Sequence, residues 1–213
     1  MRLYTYWRSS AAQRVRIALH LKGVAYDPVP VHLRRGEQRG AAHAARNPQR
    51  LVPALELDDG TVLTQSLAII EYLEETHPAP PLLPADARGR ARVRALAQAV
   101  ACDIHPVQNL RVLSHLTGAC GLDEDTKTAW ARHWIETGLA AVERLLADSA
   151  ETGRFCHGDT PTLADCCLIP QLFNARRFGC DLSALETVGR IDSACAALPA
   201  FRRAAPDAQP DAE

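Results

Sequence analysis

The chain has 213 residues, 47% of them hydrophobic and 23% charged, which is enough apolar material for one core or two smaller ones. Its formal net charge of -1 lacks the basic surplus of a nucleic-acid groove or an anionic-membrane patch, and no apolar run approaches the roughly 18 residues of a membrane span. Seven cysteines form an odd set without a C-x-x-C pair, the pattern of reduced thiols and not of a disulfide framework.

The first residues read as a strand and not as a charged, apolar and small-residue leader, so a cytoplasmic location is expected. Cys102-Asp103-Ile104-His105 has a metal-like spacing but no second half-site, and no metal is expected.

Leu3 to Trp7 is a short strand that breaks at Arg8-Ser9-Ser10. A helix follows with Ala11, Val15, Ala18 and Leu19 on one face. Ser9 and Ser10 stand where a hydroxyl caps a helix whose first N–H groups are unpaired and whose dipole is positive. Such a corner favours an anion, and Arg8 adds a planar fork suited to a carboxylate. The same residues also make a plain N-cap beside a solvated arginine.

Lys22-Gly23 ends the helix, and Tyr26 to Leu33 alternates as a strand. Arg34 to Arg46 is a loop and marginal helix, and Asn47-Pro48-Gln49-Arg50 turns into the apolar run Leu51 to Leu57. Pro53 inside that run implies a sheet edge or a strand start, with a cis bond as an option. Val52 is then free to pair, main chain to main chain, with an extended peptide-like ligand. Asp58-Asp59-Gly60 is a hairpin turn into Thr61 to Thr64. Gln65-Ser66 opens a helix over Leu67 to Thr76, with Leu67, Ile70 and Leu73 inward and Glu71, Glu74 and Glu75 outward. Ser66 is again a hydroxyl at a helix start, able to hold a carboxylate or simply to cap.

Pro78 to Pro84 is the richest proline cluster, and strand signals vanish beyond it. The expected domains are residues 1–80 and 87–213, the second all-helical. Its helices run over Arg90 to His105, bent by Pro106, then Asn109 to Leu116, Asp123 to Ala147, a helix started by the capping box Thr162-Leu163-Ala164-Asp165 and carrying Pro170, and Val188 to Ala197. Ala204 to Glu213 reads as a polar tail with little to bury.

The order β-α-β, β-β-α, proline-rich linker, helices resembles a glutathione transferase. Particular stretches resemble its zeta class: Arg8-Ser9-Ser10 with Arg14-Val15-Arg16-Ile17-Ala18-Leu19, Asn47-Pro48, Val52-Pro53, Gln65-Ser66 with the helix to Glu75, Asp103-Ile104-His105-Pro106, Asn109-Leu110-Arg111 and Gly158-Asp159 through Asp165. The resemblance implies a thioredoxin-like α/β N-terminal domain that binds glutathione, an all-α C-terminal domain that supplies the substrate wall, and a homodimer. Carried over by residue, Ser9 and Ser10 face the glutathione sulfur, Val52 pairs with the cysteinyl backbone, and Gln65 and Ser66 hold the γ-glutamyl end. Gln38 and His105 match further glutathione contacts, and Asn109 and Arg111 fall in the substrate pocket. Arg8, Arg111 and Arg177, preferred over its neighbour Arg176, match a substrate with two carboxylates.

The implied activity is cis to trans isomerisation of an enedioate, maleylacetoacetate first and maleylpyruvate as the close variant. Addition of a thiolate to the alkene leaves a single bond that can rotate, and its elimination restores the alkene as trans. Conjugation of glutathione to a halogenated acid or other small electrophile is a second reading, and a non-catalytic glutathione-binding protein a third. The chain departs from the family pattern at Ala11, where a cysteine is usual, and at Gln13, where Trp or His is usual. With Ala11 in place, the glutathione thiol is the only evident nucleophile.

Overall fold

Strand β1 (Arg2–Thr5) lies inside a four-stranded sheet ordered β2-β1-β3-β4 in the computed structural model, which describes residues 1–213. Strand β2 (Asp27–Pro30) pairs parallel to β1, so the chain crosses over between them through helix α1 (Ser10–Leu21). Strands β3 (Ala54–Glu56) and β4 (Val62–Thr64) complete the sheet, β3 antiparallel to β1 and β4 antiparallel to β3. Between β2 and β3 the chain makes two short 3-10 turns, Leu33–Arg35 and Glu37–Arg39, and helix α2 (Ala41–Arg46). Helix α3 (Ser66–Thr76) follows β4.

Strand β2 is shorter than the alternation over Tyr26 to Leu33 suggests. Pro28 and Pro30 cannot donate to a ladder, and the strand occupies the sheet edge, where that costs least. Pro53 resolves the other way: it precedes β3, an interior strand, across a cis Val52–Pro53 bond, and so marks a strand start. Gly60 turns the β3–β4 hairpin at φ 85°, a left-handed conformation that glycine adopts without a Cβ penalty.

Glu74 is not outward as expected. Its side chain is buried and meets the fully buried Lys22, whose ammonium donates to Glu74 Oε2 at 2.7 Å, the His77 carbonyl at 2.7 Å and the Pro80 carbonyl at 3.0 Å. Glu74 Oε2 also accepts the Leu82 amide at 2.9 Å. A buried charge survives only with its partners supplied, and this pair gathers them from the proline-rich stretch 77–82.

The chain folds as two compact units, one of Met1–Leu82 with Ala196–Glu213, the other Leu83–Cys195. The second is built from α4 (Ala87–Gln98), α5 (Leu110–Gly118), α6 (Glu124–Ala147), α7 (Leu163–Arg177) and α8 (Glu186–Ala196) around Val93, Ile135, Leu139, Val142 and Leu168. Before Pro106, α4 widens into a π-helical turn (Ala99–Ile104), with the His105 amide donating to the Val100 carbonyl at 2.9 Å. Gly138 leaves room for this turn, because a Cβ there would stand 2.3 Å from Ile104 Cγ1. The capping box forms around Asp165, which is fully buried and accepts the amides of Thr162 at 2.7 Å and Cys156 at 2.9 Å.

Residues 204–213 differ from the expected polar tail. Helix α9 (Pro199–Ala204) and the 3-10 turn Pro206–Ala208 bury Ala204, Pro206 and Gln209, and they belong to the first unit, not to one helical domain over 87–213. One tie is to α1, whose buried Arg16 donates to the Ala204 carbonyl of this segment.

Candidate active site

The corner between β1 and α1 is built by the chain turning out of the sheet and into a helix within four residues. Ser9 is the N-cap of α1, in extended conformation, and its Oγ accepts the Ala12 amide at 3.2 Å. A hydroxyl that accepts one hydrogen bond still has its own proton to donate. The cap and the anion-binding readings of Ser9 are therefore compatible. Ser10 is the first helical residue and is buried. Arg8 is half-buried, its guanidinium 5.4 Å from the centroid of the Trp7 ring. No acidic residue occupies the first turn of α1, so the positive end of its dipole is not offset from within the turn.

A second helix start is tied to the first. Arg14, buried in α1, donates from Nη1 to Ser66 Oγ at 3.2 Å, and Ser66 opens α3. Gln65, just before it, has φ 70°, a left-handed conformation strained for a side-chain-bearing residue. Its Nε2 donates to Gln49 Oε1 at 2.7 Å. Such strain persists only where the surroundings over-determine it.

The loop ahead of β3 is braced from behind. Asn47 Nδ2 donates to the Leu51 carbonyl at 2.9 Å, and His43 Nε2 lies 2.9 Å from the same oxygen, so Nε2 carries the imidazole proton. Next along, no hydrogen bond within the chain engages the Val52 main chain. Gln38 is buried in the turn Glu37–Arg39, and its Oε1 has no hydrogen-bond partner.

In the second unit His105 follows the π turn, and Asn109 is the N-cap of α5. Asn109 Oδ1 accepts the amides of Arg111 at 3.1 Å and Val112 at 3.3 Å, which leaves its Nδ2 to donate elsewhere. Arg111 is exposed. Arg176 and Arg177 part company: Arg176 is ion-paired with Asp192 of α8, whereas Arg177 donates to Asn174 Oδ1 at 3.3 Å and lies 4.1 Å over the Phe178 ring. Asn174 Nδ2 in turn reaches Gln108 Oε1 at 3.5 Å, and Gln108 Nε2 donates to Gln171 Oε1 at 3.2 Å. A buried amide chain thus runs from the residue before Asn109 to Arg177.

Arg14, Gln49 and the Gln108–Gln171–Asn174 chain were not singled out from sequence. The available signal was polarity at positions of an apolar helical period, as in Arg14 and Gln171. Cys102 and Cys120 are exposed, burial pushes Cys180 up to about 11, and burial raises the Cys156 and Cys195 thiols as well. No group of His, Cys, Asp and Glu side chains is arranged to hold a metal ion.

Residues 8–76 match the glutathione S-transferase N-terminal domain family, and residues 128–203 match its C-terminal domain family. Maleylpyruvate isomerase from a Ralstonia species is 54% identical over 211 residues, covering 99% of each chain. Maleylacetoacetate isomerase from Rhizobium meliloti strain 1021 is 55% identical over 205 residues, 96% of this chain and 95% of its own. Among solved structures, a holo maleylpyruvate isomerase described as a bacterial zeta-class glutathione transferase superposes with a TM-score of 0.97, at 54% identity over 100% of both chains. Maleylacetoacetate isomerase from Methylobacterium extorquens AM1, solved with malonate and glutathione, gives 0.98 at 48% identity over 100% of both. With such agreement along its full length, and with Ser9, Val52, Gln65 and Ser66 placed as described, the chain belongs to the zeta class of the glutathione S-transferase family.

Proposed function

We propose that the chain is a glutathione-dependent cis–trans isomerase of an enedioate, with maleylacetoacetate as the first substrate and maleylpyruvate as its close variant. The observation that carries this reading is the unpaired Val52 main chain, in one unit with two serine-led helix starts that Arg14 links. Relatives 54% and 55% identical over nearly the whole chain are a maleylpyruvate isomerase and a maleylacetoacetate isomerase.

Glutathione fits the groups present. It is a peptide with a carboxylate at each end, and Val52 offers an extended main chain to its cysteinyl unit. Ser66, at the N-terminus of α3, and Gln65 suit the γ-glutamyl carboxylate. Gln38 Oε1, buried and unpartnered, is an acceptor in want of a donor, and we assign it and His105 to further glutathione contacts. When bound, glutathione supplies a thiolate able to add to an alkene and leave it again. Ser9 and Ser10 have the task of favouring that thiolate over the thiol. Lowering a thiol from about 8.5 by ~2 units takes ~2.7 kcal/mol of selective stabilisation. The position of the Ser9 hydroxyl at the N-cap of α1, with the N–H groups of that first turn, supports assigning this task to it.

Arg8, Asn109, Arg111 and Arg177 are assigned to the substrate. Each presents N–H donors, as two carboxylates and the negative charge developing beside the alkene require; a well-aimed donor of this kind contributes ~3 kcal/mol. Ala11 removes the protein thiol from the corner, so no covalent role falls to the chain itself. Membership of the class further supports a homodimer and a cytoplasmic location; no helix is long and apolar enough to cross a membrane.

The test is the rate of isomerisation of maleylacetoacetate and of maleylpyruvate, each with and without glutathione, for wild type, Ser9→Ala and Arg111→Ala. Glutathione-dependent turnover that falls at least ~100-fold in Ser9→Ala and Arg111→Ala is the expected result, and the ratio of the two wild-type rates names the substrate. Glutathione binding without turnover of either compound would sink the isomerase and favour conjugation.

A further inference from the structure

Two charged residues outside the assigned site grip the backbone that carries Arg8 and Ser9. Arg16 is fully buried in α1. Its Nη1 donates to Thr5 Oγ1 at 2.9 Å and to the Tyr6 carbonyl at 3.3 Å, its Nη2 to the Trp7 carbonyl at 2.9 Å, and Nε and Nη2 both reach the Ala204 carbonyl at 3.2 Å. Asp211 Oδ2 accepts the Trp7 amide at 3.0 Å. The Trp7 residue is therefore held at its N–H by a carboxylate and at its C=O by a guanidinium. The Tyr6 carbonyl is fixed as well, because it also accepts the Ser9 amide at 2.9 Å.

Stability alone is a poor reason for this arrangement. Burial draws the Arg16 pKa down to about 10, still far above neutrality, so the group is buried as a cation, and no carboxylate bonds to it directly. A buried cation is costly, and apolar side chains of similar volume commonly do as well or better. What a planar fork gives that they cannot is a set of fixed directions, here spent on three consecutive residues, Thr5 to Trp7, where β1 runs into the turn. Apolar packing under the turn would leave the Trp7 peptide free to rock.

We propose that Arg16 and Asp211 are positioning residues of the active site: they clamp the Trp7 peptide so that the Arg8 and Ser9 side chains depart from a rigid turn. The inference rests on the isomerase reading for its kinetic consequence, and on the Trp7 contacts for its structural one. Asp211 is the residue to change, because it is half-buried and its loss leaves the Arg16 contacts in place.

The experiment compares wild type, Asp211→Ala and Asp211→Asn by three readouts: kcat and KM for isomerisation, ultraviolet thiolate absorbance of bound glutathione, and hydrogen exchange of residues 6–12. In Asp211→Ala, exchange at Trp7 and its neighbours rises ~10-fold and kcat falls ~10-fold with weaker thiolate absorbance, while KM for glutathione stays within about 2-fold, since Val52, Gln65 and Ser66 are untouched. Asp211→Asn keeps an acceptor oxygen and recovers most of both losses. Unchanged kcat, absorbance and exchange in Asp211→Ala would overturn the proposal. Equal impairment of the two variants would overturn it too, by placing the role in charge and not in the hydrogen bond. A wild type that binds glutathione without isomerising either enedioate overturns the functional reading alone, because exchange and thiolate absorbance still report the clamp.

Discussion

Arg176 and Arg177 are neighbours in sequence and about 100° apart around α7, so a helix cannot point both at one ligand. Arg176 is ion-paired with Asp192 at the surface. Arg177 rests on Phe178 and on the buried Asn174, which belongs to the amide chain leading back to Gln108. The two should respond differently to truncation. With glutathione saturating, Arg177→Ala is expected to lower kcat/KM for the dicarboxylate by roughly 30-fold, about 2 kcal/mol for lost hydrogen bonds to a charged group. Arg176→Ala should leave kcat/KM within about 2-fold and reduce stability by less than about 1 kcal/mol, as exposed ion pairs do. Steady-state kinetics on the two single variants and their thermal melts decide this, and equal kinetic losses would remove Arg177 from its assigned role.

At the level of elements, α3 shows where residue identity and helical geometry disagree. Ile69, Ile70 and Leu73 are the buried apolar residues of α3, and Glu74 lies on the same face, four residues on from Ile70. A reading by polarity places Glu74 outside; a reading by angle places it inside, against Lys22. Glu74→Ala should therefore cost ~3–5 kcal/mol by leaving the Lys22 ammonium buried without its carboxylate, whereas Lys22→Met with Glu74→Leu should cost far less. Urea denaturation of the two proteins checks the contrast. The strands, the crossover and the helix starts at Ser9 and Ser66 were legible because period, caps and turns are local signals. The π turn before His105 was not, since it depends on Gly138 of another helix leaving space for Ile104. Nor was the Trp7–Asp211 contact, whose partners are 204 residues apart. Among the candidate site residues, those at helix starts carry a local signature, whereas the supports of Arg177 are assembled only by folding.

For the whole molecule the dividing line is not a single point in the sequence. The first unit needs residues 196–213 as well as residues 1–82. A fragment of residues 1–82 keeps Arg16 but loses the Ala204 carbonyl, and the Trp7 amide loses Asp211. Such a fragment is expected to lack a cooperative thermal transition, and a peptide of residues 196–213 added in trans should restore one and protect the amides of residues 6–12 from exchange. A sharp transition from the fragment alone would show that the returning segment is dispensable. The separation of Arg16 from Ala204 by 188 residues also sets an order of events during synthesis. The strands and α1 leave the ribosome first, yet their cationic core group gains its fourth acceptor, the Ala204 carbonyl, only after every helix of the other unit has been made. Translation halted anywhere among those helices is thus expected to leave the first unit without the Ala204 and Asp211 contacts that hold Arg16 and Trp7.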